Sequence, residues 1–128
     1  MTHGPITVLI VDDQAPFRLA AKAVLRRTDG FELIGEAASG EAAVVQVEEL
    51  DPRLVLMDIN MPGINGIEAT RRIVGLRPDA VVWLCSTYRL EELPADARTS
   101  GARAYVNKEE LTPDLIKQLW AHKSTSSL

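Results

Sequence analysis

The stretch LVLMDINMPG, residues 54–63, is the part of the sequence that decides the fold class. Four apolar residues run directly into Asp58, and Pro62 and Gly63 then mark a loop. A strand that is apolar at every position is buried on both faces, as in a parallel sheet that carries helices on each side. The stretch therefore predicts a buried central strand that ends at the carboxylate of Asp58.

Similar apolar runs lie on both sides of this stretch and alternate with segments of helical periodicity. The predicted strands are Ile6–Val11, Phe31–Ala37, Leu54–Asp58, 81–84 and Ala104–Asn107, and helices are predicted at 16–27, at Gly40–Leu50, from Ile67 to before Pro78, and from Thr112-Pro113-Asp114 onward. Repeats of this kind predict an α/β domain over residues 1–122, with a three-layer, doubly wound, five-stranded parallel sheet in the order 2-1-3-4-5. The polar, Ser-rich residues 123–128 are expected to form a disordered tail.

The segment between the fourth and fifth strands is a poor helix. It contains Pro94 and few large apolar residues between Arg89 and Ser100. A proline inside a helix costs about 3 kcal/mol, so we expect this element to be short, irregular or displaced. An element with so few apolar anchors should also open more readily than the sheet.

Composition and charge exclude several classes of protein. The formal charge of −4 and the lack of a basic run argue against direct binding to nucleic acid. The single cysteine, Cys85, cannot form an internal disulfide and is expected to be a buried small hydrophobe. No apolar run approaches the roughly 20 residues of a membrane span, and the N-terminus resembles no signal peptide. A cytoplasmic location away from membranes is therefore expected.

Three acidic residues follow predicted strands that are neighbours in the sheet. Asp12 and Asp13 end the first strand, and Asp58 ends the third. Ligands of open parallel sheets bind outside the carboxyl ends of the strands, so the three carboxylates should converge in one crevice. A pair such as Asp12-Asp13 could by itself be a turn or a helix cap. Three gathered carboxylates repel one another unless a cation is present, and Mg²⁺ suits a site with few protein oxygens.

Several motifs in this order resemble the receiver domains of two-component response regulators. The acidic pair ends VLIVDD at 8–13, and the stretch 54–63 is similar to the phosphoacceptor strand and loop of that family. Ser86 ends the fourth strand, Tyr105 lies in the fifth, and Lys108 follows Ser86 by 22 residues. The stretch GIEATRR at 66–72 further resembles the subfamily that often carries a helix-turn-helix output. The glutamates after Lys108 depart from the proline of many receivers.

The resemblance implies a phosphorelay function and the flavodoxin-like receiver fold. Asp58 would be the phosphoacceptor, and Lys108 and Ser86 would contact the phosphoryl group. Mg²⁺ would be held by Asp58, Asp13 and the backbone carbonyl of Asn60, with Asp12 acting through water. Ser86 and Tyr105 would form the conformational switch. The domain would catalyse only its own aspartyl phosphorylation and dephosphorylation, so it is not expected to be an enzyme acting on an external substrate.

The resemblance also implies the kinds of partner. A sensor histidine kinase or a phosphotransfer protein would be the phosphodonor. A downstream protein or a second copy of the chain would bind the face formed by the segment 89–100, the fifth strand and the last helix, where Trp120 is a candidate contact. No output domain follows before Leu128, so we expect either a stand-alone receiver or a piece of a longer regulator.

Other interpretations of the same residues remain. A lysine after a strand is usually solvated and a serine at a strand end is usually a cap, so Lys108 and Ser86 have chemical roles only if they share the crevice. The main alternative is a pseudo-receiver, an interaction module that does not use phosphate. A dehalogenase-like phosphatase and a flavodoxin are disfavoured, because Gln14 and Ala15 follow Asp13 in place of the second acid or the phosphate loop. His3 and His122 lack the spacing of metal ligands.

Overall fold

The computed structural model of the chain describes residues 4–123 and 128. Its five strands form one parallel sheet in the order β2-β1-β3-β4-β5. The strands are β1 Ile6–Val11, β2 Phe31–Ala37, β3 Leu54–Asp58, β4 Val81–Ser86 and β5 Ala104–Asn107. The predicted doubly wound, five-stranded fold is confirmed. The fourth strand ends at Ser86, as predicted, and Cys85 and Ser86 continue the ladder with β5.

Four α-helices cover the two faces of the sheet. They are α1 Ala15–Arg26, α2 Gly40–Leu50, α3 Gly66–Leu76 and α4 Pro113–Ala121. Side-chain oxygens of Ser39, Asn65 and Thr112 accept backbone N–H groups at the starts of α2, α3 and α4, which satisfies donors that have no partner inside the helix. No helix in the part of the chain that the structure describes is long and apolar enough to cross a membrane.

Two separate apolar cores lie on the two faces, which gives the three layers. One core contains Val8, Leu56 and Trp83 from the sheet and packs against α1 and α4. The other contains Leu9, Met57 and apolar residues of α2 and α3. Adjacent residues along each strand therefore go to opposite cores, which is why the strands are apolar throughout.

The segment between β4 and β5 contains no α-helix. Two 3₁₀ turns, Leu90–Glu92 and Ala95–Thr99, stand on either side of Pro94, and Ala97 is the only residue of the two turns that is buried. Asp96 reaches Arg71 of α3 at 3.5 Å, which is an exposed ion pair of small energy. The prediction of a short, irregular element is confirmed, and its greater mobility stays a prediction.

Trp120 is partly buried by packing within the domain. Its ring meets Phe31 and Trp83 edge-on, with ring centroids 6.0 and 6.5 Å away. The cationic groups of Arg53 and Lys123 lie over it at 5.4 and 4.9 Å from its centroid. These contacts assign Trp120 to the core beneath α4, and a role in partner binding stays a prediction.

Residues 124–127 of the predicted tail, 123–128, lie outside the described part of the chain. Leu128 is described, and it packs against the core under α2 and α3.

Candidate functional site: an acidic pocket with a lysine at the carboxyl edge of the sheet

Adjacent strands bring the three predicted acids together. Val11 pairs with Met57 in the β1–β3 ladder. Asp12 follows Val11 and Asp58 follows Met57, so the two acids lie side by side. One carboxylate oxygen from each of Asp12, Asp13 and Asp58 lies within 4.8 Å of the others. Asp12 and Asp58 are buried and Asp13 is partly exposed. The predicted crevice is therefore present.

Lys108 closes the crevice from the end of β5. Its ammonium nitrogen lies 2.6 Å from Asp12 Oδ2 and 3.2 Å from Asp58 Oδ1, and its side chain is 17% exposed. The turn that begins at Lys108 is capped because the backbone N–H of Glu109 donates to Asn107 Oδ1 at 2.9 Å. A proline, which many receivers have at position 109, could not make this hydrogen bond.

The two oxygens of the Asp12 carboxylate have different partners. Its Oδ1 accepts the backbone N–H of Gln14 at 2.8 Å, and Arg18 donates to its backbone carbonyl at 2.7 Å. The buried Oδ2 has the Lys108 charge close by but no hydrogen bond of regular geometry. The ion pair stabilises this oxygen without a regular hydrogen bond, because an ammonium at this distance offsets much of the cost of a buried anion.

Burial and neighbouring charge act on the ionisation of the site. Burial, followed by the nearby carboxylates of Asp12 and Asp13, raises the pKa of Asp58, the Lys108 ammonium lowers it, and the net result is a pKa of about 6. Burial alone would lower the pKa of Lys108, but the two buried carboxylates outweigh it and raise this pKa overall. The pocket therefore holds more negative charge than one lysine neutralises.

This excess of negative charge fits a hard divalent cation. Three carboxylates offer oxygen ligands, and the buried Asp12 Oδ2 makes no hydrogen bond of regular geometry, with the Lys108 ammonium as its ion-pair partner. Mg²⁺ prefers oxygen ligands and keeps several waters, so it needs few protein groups. Asn60, the other predicted ligand residue, is exposed in the loop just after β3, and its side chain donates to the Tyr88 hydroxyl at 2.9 Å.

The two predicted switch residues are in direct contact. The Ser86 and Tyr105 hydroxyl oxygens lie 2.8 Å apart, and Ser86 Oγ also accepts the backbone N–H of Tyr88 at 3.1 Å. The Tyr105 hydroxyl in turn donates to the backbone carbonyls of Tyr88 and Ser86. This arrangement leaves Ser86 to donate its own proton to Tyr105, so both side chains belong to one hydrogen-bonded group at the ends of β4 and β5.

Sequence reasoning missed two residues that support the site. Phe17 of α1 places its ring centroid 4.5 Å from the Lys108 ammonium. Glu41 of α2 accepts the backbone N–H of Ile64 at 3.1 Å and so fastens the loop that contains Asn60. No sequence signal identifies either role, because both contacts join segments far apart in the chain.

The comparisons with known proteins agree with this geometry. A family model described as the response regulator receiver domain matches residues 8–120, and the chain belongs to that family. Transcriptional regulatory protein DegU of Brevibacillus brevis is 38% identical over 117 residues, which cover 91% of this chain and 50% of DegU. The chain therefore spans about half the length of DegU.

Two solved structures show similar folds. A two-component response regulator of the LuxR family from Aurantimonas sp. is 28% identical with a TM-score of 0.83, covering 94% of this chain and 86% of that chain. A chain of the CheX-CheY-BeF3-Mg+2 complex from Borrelia burgdorferi is 29% identical with a TM-score of 0.77, covering 93% and 90%. The likeness to DegU and to the LuxR-family regulator confirms the predicted subfamily. Family membership also sets aside the phosphatase and flavodoxin interpretations.

Proposed function

We propose that this receiver accepts a phosphoryl group on Asp58, with Mg²⁺ bound in the acidic pocket, and changes conformation in response. The observation that carries the proposal is the placement of the Asp58 carboxylate between two further acids and the Lys108 ammonium. A carboxylate that binds a metal and lies beside a lysine has the surroundings that phosphoryl transfer requires. In this proposal the domain modifies only itself and turns over no external substrate.

The reaction forms one bond and breaks one. An oxygen of the Asp58 carboxylate attacks phosphorus, and the bond from phosphorus to the donor, the imidazole nitrogen of a phosphohistidine or the oxygen of a small acyl phosphate, breaks. The leaving group keeps the electron pair, and Asp58 becomes an acyl phosphate. Mg²⁺ when bound neutralises charge on the phosphoryl oxygens. Asp58, Asp13 and the Asn60 backbone carbonyl would hold it, with Asp12 acting through water.

Lys108 supports the same step through charge. Asp58 must be ionised to attack, and its pKa of about 6 keeps it largely ionised at neutral pH. The Lys108 ammonium is 3.2 Å from Asp58 Oδ1, so an oxygen of a phosphoryl group on Asp58 comes within its reach. An ammonium group is a compact point charge with rotatable donors, which suits it to the changing geometry of phosphoryl transfer.

Ser86 and Tyr105 would carry the signal from the pocket to the surface. A phosphoryl group brings roughly −1.5 to −2 charges and new acceptor oxygens. Ser86 can donate its proton to one of these oxygens only if it stops donating to Tyr105. Tyr105 lies on the face formed by β5, the 3₁₀ segment and α4, so its response would alter that face.

The partners follow from this mechanism. We infer a sensor histidine kinase or a phosphotransfer protein as phosphodonor, and a downstream protein or a second copy of the chain as the partner of that face. A cytoplasmic location belongs to the same proposal. So does an output domain elsewhere in a longer regulator, because the chain matches only about half of DegU, which is named a transcriptional regulatory protein.

The proposal predicts that Asp58→Asn abolishes phosphoryl uptake. Incubated with Mg²⁺ and acetyl phosphate, the wild-type chain should gain the mass of one phosphoryl group, and the variant should gain none. Asp29→Asn, which changes an exposed aspartate far from the pocket, is the matched control and should behave as wild type.

The pseudo-receiver is the second candidate, and the irregular segment between β4 and β5 favours it. A wild-type chain that gains no phosphoryl mass, and whose spectra do not change with beryllofluoride, would leave only this interaction module.

The switch pair yields a prediction of its own: Tyr105→Phe should tighten beryllofluoride binding about fivefold. Wild-type Ser86 gives up one hydrogen bond when it turns to the phosphoryl mimic, and such a bond contributes about 1 kcal/mol. The variant has no such bond to lose. Tyr88 keeps a donor for its backbone carbonyl, because Asn107 Nδ2 lies 3.2 Å from it. Titration followed by NMR in Mg²⁺ measures the affinity, and unchanged or weaker binding would contradict the proposed exchange of partners.

A further inference from the structure

Among the residues that the structure describes, the Lys108 ammonium contacts an aromatic ring as well as two carboxylates. Besides Asp12 Oδ2 at 2.6 Å and Asp58 Oδ1 at 3.2 Å, it lies 4.5 Å from the centroid of the Phe17 ring. This distance is within the roughly 6 Å range of a cation–π contact, which is strongest where water is excluded. The lysine side chain is 17% exposed, so the contact is formed in a largely desolvated place.

Phe17 is anchored beside the pocket by its place in α1 and by its packing on the core. It lies in the first turn of α1, directly after Pro16, and its backbone N–H donates to the Gln14 carbonyl at 3.1 Å. Its ring is partly buried against the core between the sheet and α1 and α4. The ring therefore has packing partners in the core beside the pocket, whereas the lysine reaches the pocket on a flexible four-carbon stem.

The ring differs from the two carboxylates in one respect that matters for the proposed reaction. Asp12 and Asp58 are shared with the cation and, in the case of Asp58, with the phosphoryl group. The face of Phe17 is shared with neither, so it can keep the ammonium beside Asp58 while the charges around it change.

We propose that Phe17 is a positioning residue for phosphoryl transfer, its ring face holding the Lys108 ammonium in reach of the group on Asp58. This inference rests on the proposed function. It goes beyond it in assigning a role to a residue that touches neither phosphorus nor the metal.

The test compares Phe17→Leu, which keeps an apolar side chain but removes the ring, with Phe17→Tyr, which keeps the ring. The rate of phosphorylation by acetyl phosphate in saturating Mg²⁺ should fall about tenfold in Phe17→Leu, the size of effect expected from losing a desolvated cation–π contact. Phe17→Tyr should recover most of the rate. Val24→Ala, in the same helix and packed on the same core, controls for general loss of packing.

A double-mutant cycle separates positioning from packing. In a Lys108→Met background, Phe17→Leu should change the remaining rate by less than about twofold, because the ring then has no ammonium to hold. Equal losses in both backgrounds would mean that Phe17 only packs, and would overturn the inference.

NMR of the metal-free protein provides a readout that does not depend on activity. The ε-methylene signals of Lys108 should carry a ring-current shift in wild type and Phe17→Tyr that is absent in Phe17→Leu. Phosphoryl uptake by wild type together with an unchanged rate in Phe17→Leu defeats this inference alone. No uptake by wild type defeats the proposed function, and this inference with it.

Discussion

Lys108→Met is expected to lower the free energy of unfolding of the metal-free chain by about 3 kcal/mol at neutral pH. The substitution keeps an unbranched apolar stem and removes the only cation within salt-bridge distance of the buried Asp12 carboxylate among the residues that the structure describes. Removing one partner of a buried pair typically costs about 3–5 kcal/mol, because the other charge stays buried without compensation. We expect the lower end of this range of free energies, because Asp58 can take up a proton and so reduce the repulsion between the carboxylates.

Urea denaturation in the presence of a chelator measures this loss. Lys117→Met is the matched control, since Lys117 is an exposed lysine of α4, and it should change the free energy of unfolding by less than about 0.5 kcal/mol. Mg²⁺ should recover a larger part of the stability in Lys108→Met than in wild type, because a cation in the pocket replaces the missing charge. Equal losses for the two variants would show that Lys108 does not balance the buried acids.

Asp58→Asn is expected to act in the opposite direction and stabilise the metal-free chain by about 2 kcal/mol near neutral pH. The folded-state pKa of Asp58 is raised from its ordinary value of 3.8 to about 6. Between these two pH values the unfolded chain has released the proton and the folded chain still holds it. The stabilising contribution of protonated Asp58 is therefore complete below pH 3.8 and is lost as the pH rises through about 6. Asparagine is neutral at every pH, so the variant does not lose stability as the pH rises through this range.

The size of the stabilisation by Asp58→Asn follows from how far the pKa of Asp58 is raised in the folded chain. About two pKa units correspond to about 3 kcal/mol, and the loss of the attraction between Lys108 and Asp58 in the variant offsets part of it. Unfolding free energies from pH 4.5 to 7.5 in chelator should diverge as the pH rises, with the variant above the wild type. Saturating Mg²⁺ should narrow the gap by stabilising the wild type more. A constant difference across this range would mean that Asp58 does not titrate with a raised pKa.

Together these two variants separate the charge balance of the pocket from its chemistry. One removes a cation and the other an anion, and neither measurement needs a phosphodonor. We expect the two changes in unfolding free energy to have opposite signs, because the metal-free pocket carries three carboxylates and one ammonium. Such an excess of negative charge is unfavourable in a folded protein unless a ligand, here a cation, offsets it.

The sequence by itself determined the sheet and the place of the acids. Apolar runs such as residues 54–57 are too short and too continuous for surface helices, so their length and composition indicate strands covered on both faces. The acids that end the first and third runs must then lie at the same edge. The sequence also predicted the irregular segment around Pro94, because a proline in a segment with few large apolar residues does not allow a stable helix.

Only the tertiary structure decided which distant side chains meet around those acids. Phe17, Glu41 and the hydrogen-bonded pair Ser86–Tyr105 each owe their role to a contact between segments that lie far apart in the chain. Periodicity reports which face of an element is buried, but it carries no information about the partner that buries it. The distance of the Phe17 ring from the Lys108 ammonium depends on how α1 packs against β1 and β2 while Lys108 follows β5, and that packing exists only once the chain has folded.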